Sequence, residues 1–268
     1  MSPATPSDPL FVLPNGLSIH QVSAQETAFL YKEIFVERAY FKHGITLEGS
    51  PCVIDIGANI GMFSLCVKHT CPDARVLALE PSPRLHGLLT RNLLPFGDSA
   101  RALACGVAER DGEAVFTYYP DYSIMSGFHA DAARDAGVLA AGIRQELHSR
   151  AGTGRQVPES LIESLARQRL GGKQELLCPL RSLSSLIREW DLACVDLLKV
   201  DAERSELAVL RGIEPQDWPK IRQIVIEVHD AATLHAVEEL LREKGFRFVA
   251  EQEQALAQSG VFNGFATR

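Results

Sequence analysis

An open α/β fold around a mostly parallel sheet is what this sequence predicts, and three observations carry that expectation. Short apolar runs alternate with helix-patterned stretches between residues 50 and 106, the trace of strand–helix–strand units. The same rhythm returns near residue 195 after a long interruption. The first apolar run ends in a loop bounded by two glycines, which is where a sheet of this kind receives a ligand.

Taken in order, Cys52-Val53-Ile54-Asp55-Ile56 is the first strand and Gly57-Ala58-Asn59-Ile60-Gly61 its exit turn. Met62, Phe63, Leu65, Cys66 and Val67 then share the spacing that buries one helix face. Residues 75–80 form a second strand, which Pro81-Ser82-Pro83 breaks, and Leu85, Leu88, Leu89 and Leu93 mark the next helix. Residues 100–107 read as a third strand and 114–118 as an extra one. Residues 118–173 hold no convincing strand beyond that point and predict two or three helices with a joint at Gly152-Thr153-Gly154-Arg155. Val195 to Asp201 is a strand, with a helix over 205–211 that Gly212 can cap. Residues 221–228 form another strand, and Asp230 can cap a helix carrying Leu234, Val237, Leu240 and Leu241 inward. Residues 246–249 and 261–266 are spaced to pair as a terminal hairpin. A single domain over 1–268 accounts for these elements: an N-terminal cap (1–49), a core (50–117 and 174–268) and a helical lid insert (118–173).

Composition narrows the function. The chain carries 27 basic residues against 34 acidic, a net charge of −7, and no basic run, so nucleic acid is not an expected partner. Charged residues interrupt every apolar stretch before the roughly 20 residues a membrane span needs, so no membrane partner is expected. The start, Met1 to Pro6, lacks the basic and apolar regions of a signal peptide. Six cysteines without a C-x-x-C pair fit a reduced, cytoplasmic protein with neither zinc ribbon nor thioredoxin-type site.

The glycine-bounded loop carries the chemistry. Glu80 closes the second strand 23 residues after Gly57, about where a dinucleotide fold places the acid that grips ribose hydroxyls, and Pro81 fixes the loop behind it. Asn59 stands where a dinucleotide loop has the glycine that admits pyrophosphate, and no Gly-Lys-Ser/Thr follows to bind phosphate. A ligand with adenine and ribose but no phosphate fits best, and S-adenosyl-L-methionine is the common one. Asp55, Gly57, Ala58, Asn59, Gly61, Met62, Glu80 and Pro81 are its expected contacts, with Cys105, Gly106 and Val107 flanking the adenine.

Residues 53–61, then Leu79-Glu80-Pro81, then Leu197-Leu198-Lys199-Val200-Asp201-Ala202-Glu203 with Glu206, Leu210 and Gly212, resemble the FkbM family of S-adenosylmethionine-dependent methyltransferases. The resemblance covers about residues 50–230 and places three motifs in the family's order. It departs at Arg204, where the family's D-x-E-G-x-E has glycine. It implies the Rossmann-like class I methyltransferase fold, with seven strands and a C-terminal antiparallel hairpin. It also implies O-methylation of natural-product or sugar hydroxyls. The stretches Leu13 to Leu17, Phe29 to Phe35 and His43 to Ile45, and Tyr118-Tyr119-Pro120 leading to Ser126, resemble relatives embedded in polyketide and peptide assembly lines. The implied acceptor is therefore a small molecule or one tethered to a carrier protein.

Asp201 ends the strand expected beside the first, so it joins the cofactor contacts and faces the methyl-transfer cleft. Glu227 and His229 alternate along the end of the next strand and point to one side. Imidazole suits removal of a hydroxyl proton near neutral pH, so His229 is the candidate general base, oriented by Glu227 or Asp201. Glu203 and Glu206 share a helix face, whose ordinary reading is a solvated pair, but Glu203 is only two residues from the cleft. Asp201, Glu227 and His229 can also gather a divalent cation, but proton removal is the preferred reading and no metal is assigned. The five tyrosines fall in two groups, with Tyr31, Tyr118 and Tyr119, along with Ser126, expected on the cleft wall. An NAD-type oxidoreductase and a non-enzymatic interaction module are the rival readings.

Overall fold

A computed structural model of the chain describes residues 10–151, 158–252 and 260–268. The joint expected at residues 152–155 and the N-terminal stretch Met1 to Pro6 lie outside the described residues. The N-terminal part contains β1 (Leu10–Val12), β2 (Ser18–His20) and α1 (Ala24–Tyr31), the last continued by a wider turn to Val36. The first half of the core follows as β3 (Cys52–Ile56), α2 (Met62–Thr70), β4 (Arg75–Leu79), α3 (Pro83–Leu93) and β5 (Ala100–Leu103). Next come β6 (Gly106–Val107), β7 (Gly112–Tyr118), α4 (Ala132–Ala151), α5 (Glu159–Arg169) and β8 (Gln174–Arg181). The second half is α6 (Leu183–Glu189), β9 (Leu197–Val200), α7 (Glu206–Arg211), β10 (Gln223–Val228), α8 (Ala231–Glu243), β11 (Arg247–Glu251) and β12 (Phe262–Thr267).

The main sheet has seven strands in the order β11-β12-β10-β9-β3-β4-β5. Its pairs from β10 to β5 are parallel, while β12 runs antiparallel between β10 and β11. This seven-stranded order with an antiparallel hairpin at its end is the arrangement the sequence resemblance implies. Strand order reverses between β3 and β9, so the carboxyl ends of these two strands flank the crevice where such sheets bind ligands. Period-two alternation divides the core between the two faces. Val53, Val76, Leu197 and Val225 pack on one side with α2 and α3. Ile54, Leu77, Leu198 and Ile224 pack on the other with α6, α7 and α8. Asp230 caps α8 by accepting from the Thr233 N–H at 2.8 Å, as its position predicts.

The run at 100–107 is divided. β5 stays in the main sheet, and β6 leaves it to pair with β8. β8 also pairs antiparallel with β7, so the extra strand at 114–118 belongs to a second, three-stranded sheet. The sequence rhythm does not reveal β8: Leu176, Cys178 and Leu180 form its inner face, but Leu177 and Pro179 between them are exposed, and a proline argues against a strand. The insert helices α4 and α5 share a small core of their own around Tyr119, Leu139, Ile143, Ile162 and Ala166. Asn92 anchors the N-terminal hairpin to the core: it accepts from the His20 N–H and donates to the carbonyls of His20 and Ile60.

Candidate active site at the carboxyl ends of β3, β9 and β10

The turn after β3 uses its own N–H groups internally. Gly57 and Ala58 donate to Leu79 O at 3.1 and 2.9 Å, and Gly61 donates to Ala58 O at 2.7 Å. The Asn59 N–H donates to Glu80 Oε2 at 3.0 Å, and the Ile60 N–H to Asn59 Oδ1 at 2.7 Å. Five consecutive N–H groups of the turn are thereby committed within the protein. Asn59 holds a left-handed φ of 50°. Glu80 is buried and also accepts from the Ser82 N–H at 2.9 Å. Burial pushes its carboxyl up to about 7 against the opposing pull of these two N–H groups.

Lys199, inside β9, is the residue that sequence reasoning missed. Its Nζ lies 3.3 Å from Asp55 Oδ1 and 3.2 Å from Asp201 Oδ2, and it donates to Gly57 O at 3.0 Å. Burial disfavours its charge, but the Asp201 and Asp55 carboxylates outweigh that and hold its pKa well above the ordinary value. The signal available was a lysine in an otherwise apolar strand, Leu197-Leu198-Lys199-Val200. Asp55 lies beneath the turn and not on the cavity wall, because its other oxygen accepts from Ser64 Oγ at 2.6 Å. Gly61 likewise begins α2 behind the wall, close against Leu89.

His229 stands at the end of β10 with carboxylates on both ring nitrogens. Its Nδ1 is 2.7 Å from Glu206 Oε1, and its Nε2 is 3.2 Å from Glu203 and 3.3 Å from Glu227. Burial opposes a charged ring, yet Glu203 and its neighbours keep the pKa well above the ordinary histidine value. Burial, with Asp201 adding to it, pushes the Glu227 carboxyl up to about 7. A lone neutral imidazole is therefore not what this cluster presents at neutral pH, and protons here belong to the group as a whole. Glu203 and Glu206 are not the solvated pair their spacing predicts: Glu206 is buried and both turn toward His229. Glu203 and Arg204 both take positive φ, 36° and 69°. Arg204 thus occupies, at the family's glycine position, a backbone conformation that favours glycine. Its guanidinium reaches the insert, bonding Asp135 Oδ1 at 2.6 Å and His129 O at 3.0 Å.

A cavity of about 530 Å³ joins these parts. Gly57, Ala58, Asn59, Met62, Glu80, Pro81, Cys105, Gly106 and Val107 line one region of it. Asp201, Glu203, Glu227 and His229 line another, and Ser126 and the α4 residues Arg134, Val138 and Leu139 also border it. Three expected wall residues are elsewhere. Tyr31 stacks on Phe35 with ring centroids 5.1 Å apart. The Tyr118 ring fills the core beside Phe116, and Tyr119 packs in the insert core with its hydroxyl donating to Asp135 at 3.2 Å. Aromatic clustering gave their neighbourhood but not their direction. Tyr40 and Tyr122 line the cavity instead.

The Methyltransferase FkbM domain matches residues 55–248. The chain belongs to the FkbM methyltransferase family. It is 38% identical over 257 residues to the 31-O-demethyl-FK506 methyltransferase FkbM of Streptomyces tacrolimicus, covering 96% of this chain and 95% of that one. It is 31% identical over 263 residues to methyltransferase sdnD of Sordaria araneosa, covering 94% of each. It is also 36% identical over 265 residues to the AMB antimetabolite synthetase AmbE of Pseudomonas aeruginosa, of whose length it spans 12%. This FkbM-family chain is thus a methyltransferase with relatives in natural-product biosynthesis, and S-adenosylmethionine is the methyl donor such membership implies. The site fits that donor: the N–H groups of its turn are taken up within the protein, and a buried carboxylate stands at the end of β4. Among the described residues, no helix is long and apolar enough to cross a membrane.

Proposed function

We propose that this chain methylates a hydroxyl oxygen on a natural-product intermediate. The supporting observation is that one cavity opens on the glycine turn and Glu80 at one side and on the His229 cluster at the other. S-Adenosylmethionine, when bound, supplies an electrophilic methyl group on sulfur. Gly57, Ala58, Asn59 and Glu80 would hold it, Cys105, Gly106 and Val107 would border its adenine, and Asp201 would face its reactive end. Its chemistry would be a displacement at carbon, the acceptor oxygen taking the methyl group and the carbon–sulfur pair returning to sulfur. The hydroxyl proton leaves to the His229–Glu227–Glu203 group, with His229 fixed by Glu206. Positioning and exclusion of water by α4 and the N-terminal part supply the remaining acceleration.

The relatives guide the choice of acceptor. The name of the Streptomyces protein specifies an O-demethyl substrate, and AmbE contains a similar stretch inside a synthetase. Hydroxylated acceptors, free and carrier-bound, therefore form the panel to incubate with labelled S-adenosylmethionine. Label appearing on oxygen supports the reading, and label confined to nitrogen or carbon overturns it. His229→Gln is expected to cut turnover by about 100-fold, the scale of a lost acid–base group, while calorimetric affinity for S-adenosylhomocysteine stays within about threefold. Equal loss of both assigns the residue to folding alone.

Glu80 gives a pH dependence with a definite sign. Protonation removes the acceptor for ribose hydroxyls, so S-adenosylhomocysteine affinity is expected to fall about tenfold from pH 8 to pH 6. Glu80→Gln should flatten that dependence. In the unliganded chain the sign reverses: an acid raised from 4.5 to about 7 disfavours its ionised form when folded. Its contribution to stability is thus present below 4.5 and lost as pH rises through about 7. Opposite slopes for affinity and stability are the signature to seek.

A further inference from the structure

We propose that Arg204 is a positioning residue for methyl transfer, clamping the insert across the cavity so that the insert wall and Glu203 face one another. The clamp joins segments far apart in sequence. From the loop after β9, the Arg204 guanidinium donates to Asp135 Oδ1 at 2.6 Å and to the His129 carbonyl at 3.0 Å. Both charged partners are largely buried. Asp135 lies in the first turn of α4, and its other oxygen accepts from the Tyr119 hydroxyl at 3.2 Å and the Asp131 N–H at 3.0 Å. Asp131 caps the same turn by accepting from the Ala133 and Arg134 N–H groups, each at 3.0 Å. Arg204 therefore grips the carboxylate around which the start of α4 is organised.

The arginine carries two costs for this contact. Its φ of 69° is in the region that favours glycine, and its Nε is buried without a hydrogen-bond partner among the described residues. Strain of this kind persists only where surrounding contacts enforce it, and it collects at functional sites. Those contacts lie on both sides of the cavity. Glu203, with a φ of 36°, turns its carboxylate to His229 Nε2 at 3.2 Å. The Arg204 N–H donates to Glu206 Oε1 at 2.8 Å, the oxygen that faces His229 Nδ1 at 2.7 Å. On the insert side, Gly127 packs so closely on Glu203 that a Cβ there would stand 2.9 Å from the Glu203 Cβ. Arg134 adds a second tie by donating to the His229 carbonyl at 3.2 Å. Ser126, Val138 and Leu139, which border the cavity, are thus fastened to the loop that carries the proton-accepting group. Arg204 acts through that wall and Glu203, so its effect belongs to the acceptor and not to the methyl donor. This assignment rests on the O-methylation reading, in which the acceptor lies between the insert and His229.

The test compares the full chain with Arg204→Gly, Arg204→Lys, Asp135→Asn and the Arg204→Gly/Asp135→Asn double variant. Hydrogen exchange read by mass spectrometry, with S-adenosylhomocysteine bound, needs no acceptor. Residues 126–143 should exchange at least about fivefold faster in Arg204→Gly and Asp135→Asn, while β3 and α2 exchange as in the wild type. With the panel member that the wild type methylates, Arg204→Gly is expected to lower kcat/KM about 30-fold, by raising acceptor KM and lowering kcat. S-Adenosylhomocysteine affinity should stay within about threefold. Arg204→Lys, which keeps the charge and loses the fork, should recover part of the loss. The double variant should be no worse than the more damaged single one, because both remove the same contact. Unchanged exchange in both folded single variants overturns the clamp. Unchanged kcat/KM, or a parallel loss of S-adenosylhomocysteine affinity and thermal stability, overturns the positioning role. Faster exchange in a chain that labels only nitrogen or carbon supports the clamp and overturns the O-methylation reading alone, and kcat/KM is then measured with that acceptor.

Discussion

Lys199→Met is expected to destabilise the folded chain by about 3–5 kcal/mol, the usual cost of stranding a buried charge partner. For a domain of this size that lowers the melting temperature by roughly 10 °C. Methionine fills the volume of the lysine stem between Tyr40 and Phe63, so packing loss is small and the missing charge dominates. Asp55, fully buried, loses the cation that faces it, and Asp201 loses the group that fixes its carboxylate. The Gly57 carbonyl also loses its donor, so the β3 turn and the end of β9 come apart electrostatically. Weaker S-adenosylhomocysteine binding should accompany the instability. Adding Asp55→Asn to Lys199→Met should restore part of the loss, at least about 1 kcal/mol, because one uncompensated charge is gone. Urea unfolding of the four chains of this cycle measures the coupling. Additive effects within about 0.3 kcal/mol mean that the ion pair is not what Lys199 supplies.

What the sequence made legible follows from where each signal is generated. β3, β4, β9 and β10 are buried on both faces, so their strands are continuous apolar runs, and the residues ending them can be read directly. Asp201, Glu227 and Glu80 were found by that logic. The parts that were not legible depend on contacts distant in sequence. In β8 the exposed Leu177 and Pro179 mask the inward alternation of Leu176, Cys178 and Leu180, and its pairing with β7 across the insert left no local trace. Lys199 acquires meaning only when β3 brings Asp55 alongside it. Glu203 and Glu206 read as a surface pair because spacing reports a shared helix face, not the His229 of a strand more than twenty residues later. Tyr118 and Tyr119 are turned away from the cavity, Tyr118 by the pairing of β7 and Tyr119 by packing in the insert core against Asp135. Strand ends are a one-dimensional property, whereas side-chain partners across the sheet are not.

Gly57→Ala should be the most damaging single methyl in the chain. Gly57 has a φ of +72°, which costs an alanine about 1–2 kcal/mol by itself. A Cβ built there lies 1.7 Å from the Asp201 carbonyl oxygen and 2.9 Å from its carbon. Those are backbone atoms, and the Asp201 N–H is bonded to Ile56 O, so relief requires pulling β9 away from β3. A loss of more than about 3 kcal/mol is expected, against a gain of about 0.5–1 kcal/mol for Gly87→Ala, which is in a helix with free space around it. The comparison separates two reasons for a glycine. If Gly57 only gave a ligand room to approach, the alanine chain would keep its unliganded stability and lose affinity alone. If the neighbouring strand requires it, stability falls without any ligand present, and S-adenosylhomocysteine binding fails because Asp201 and the turn have shifted apart. The 1.7 Å approach argues for the second. The motif glycine is then first a condition for closing β3 against β9, and the cofactor crevice is a consequence of that closure.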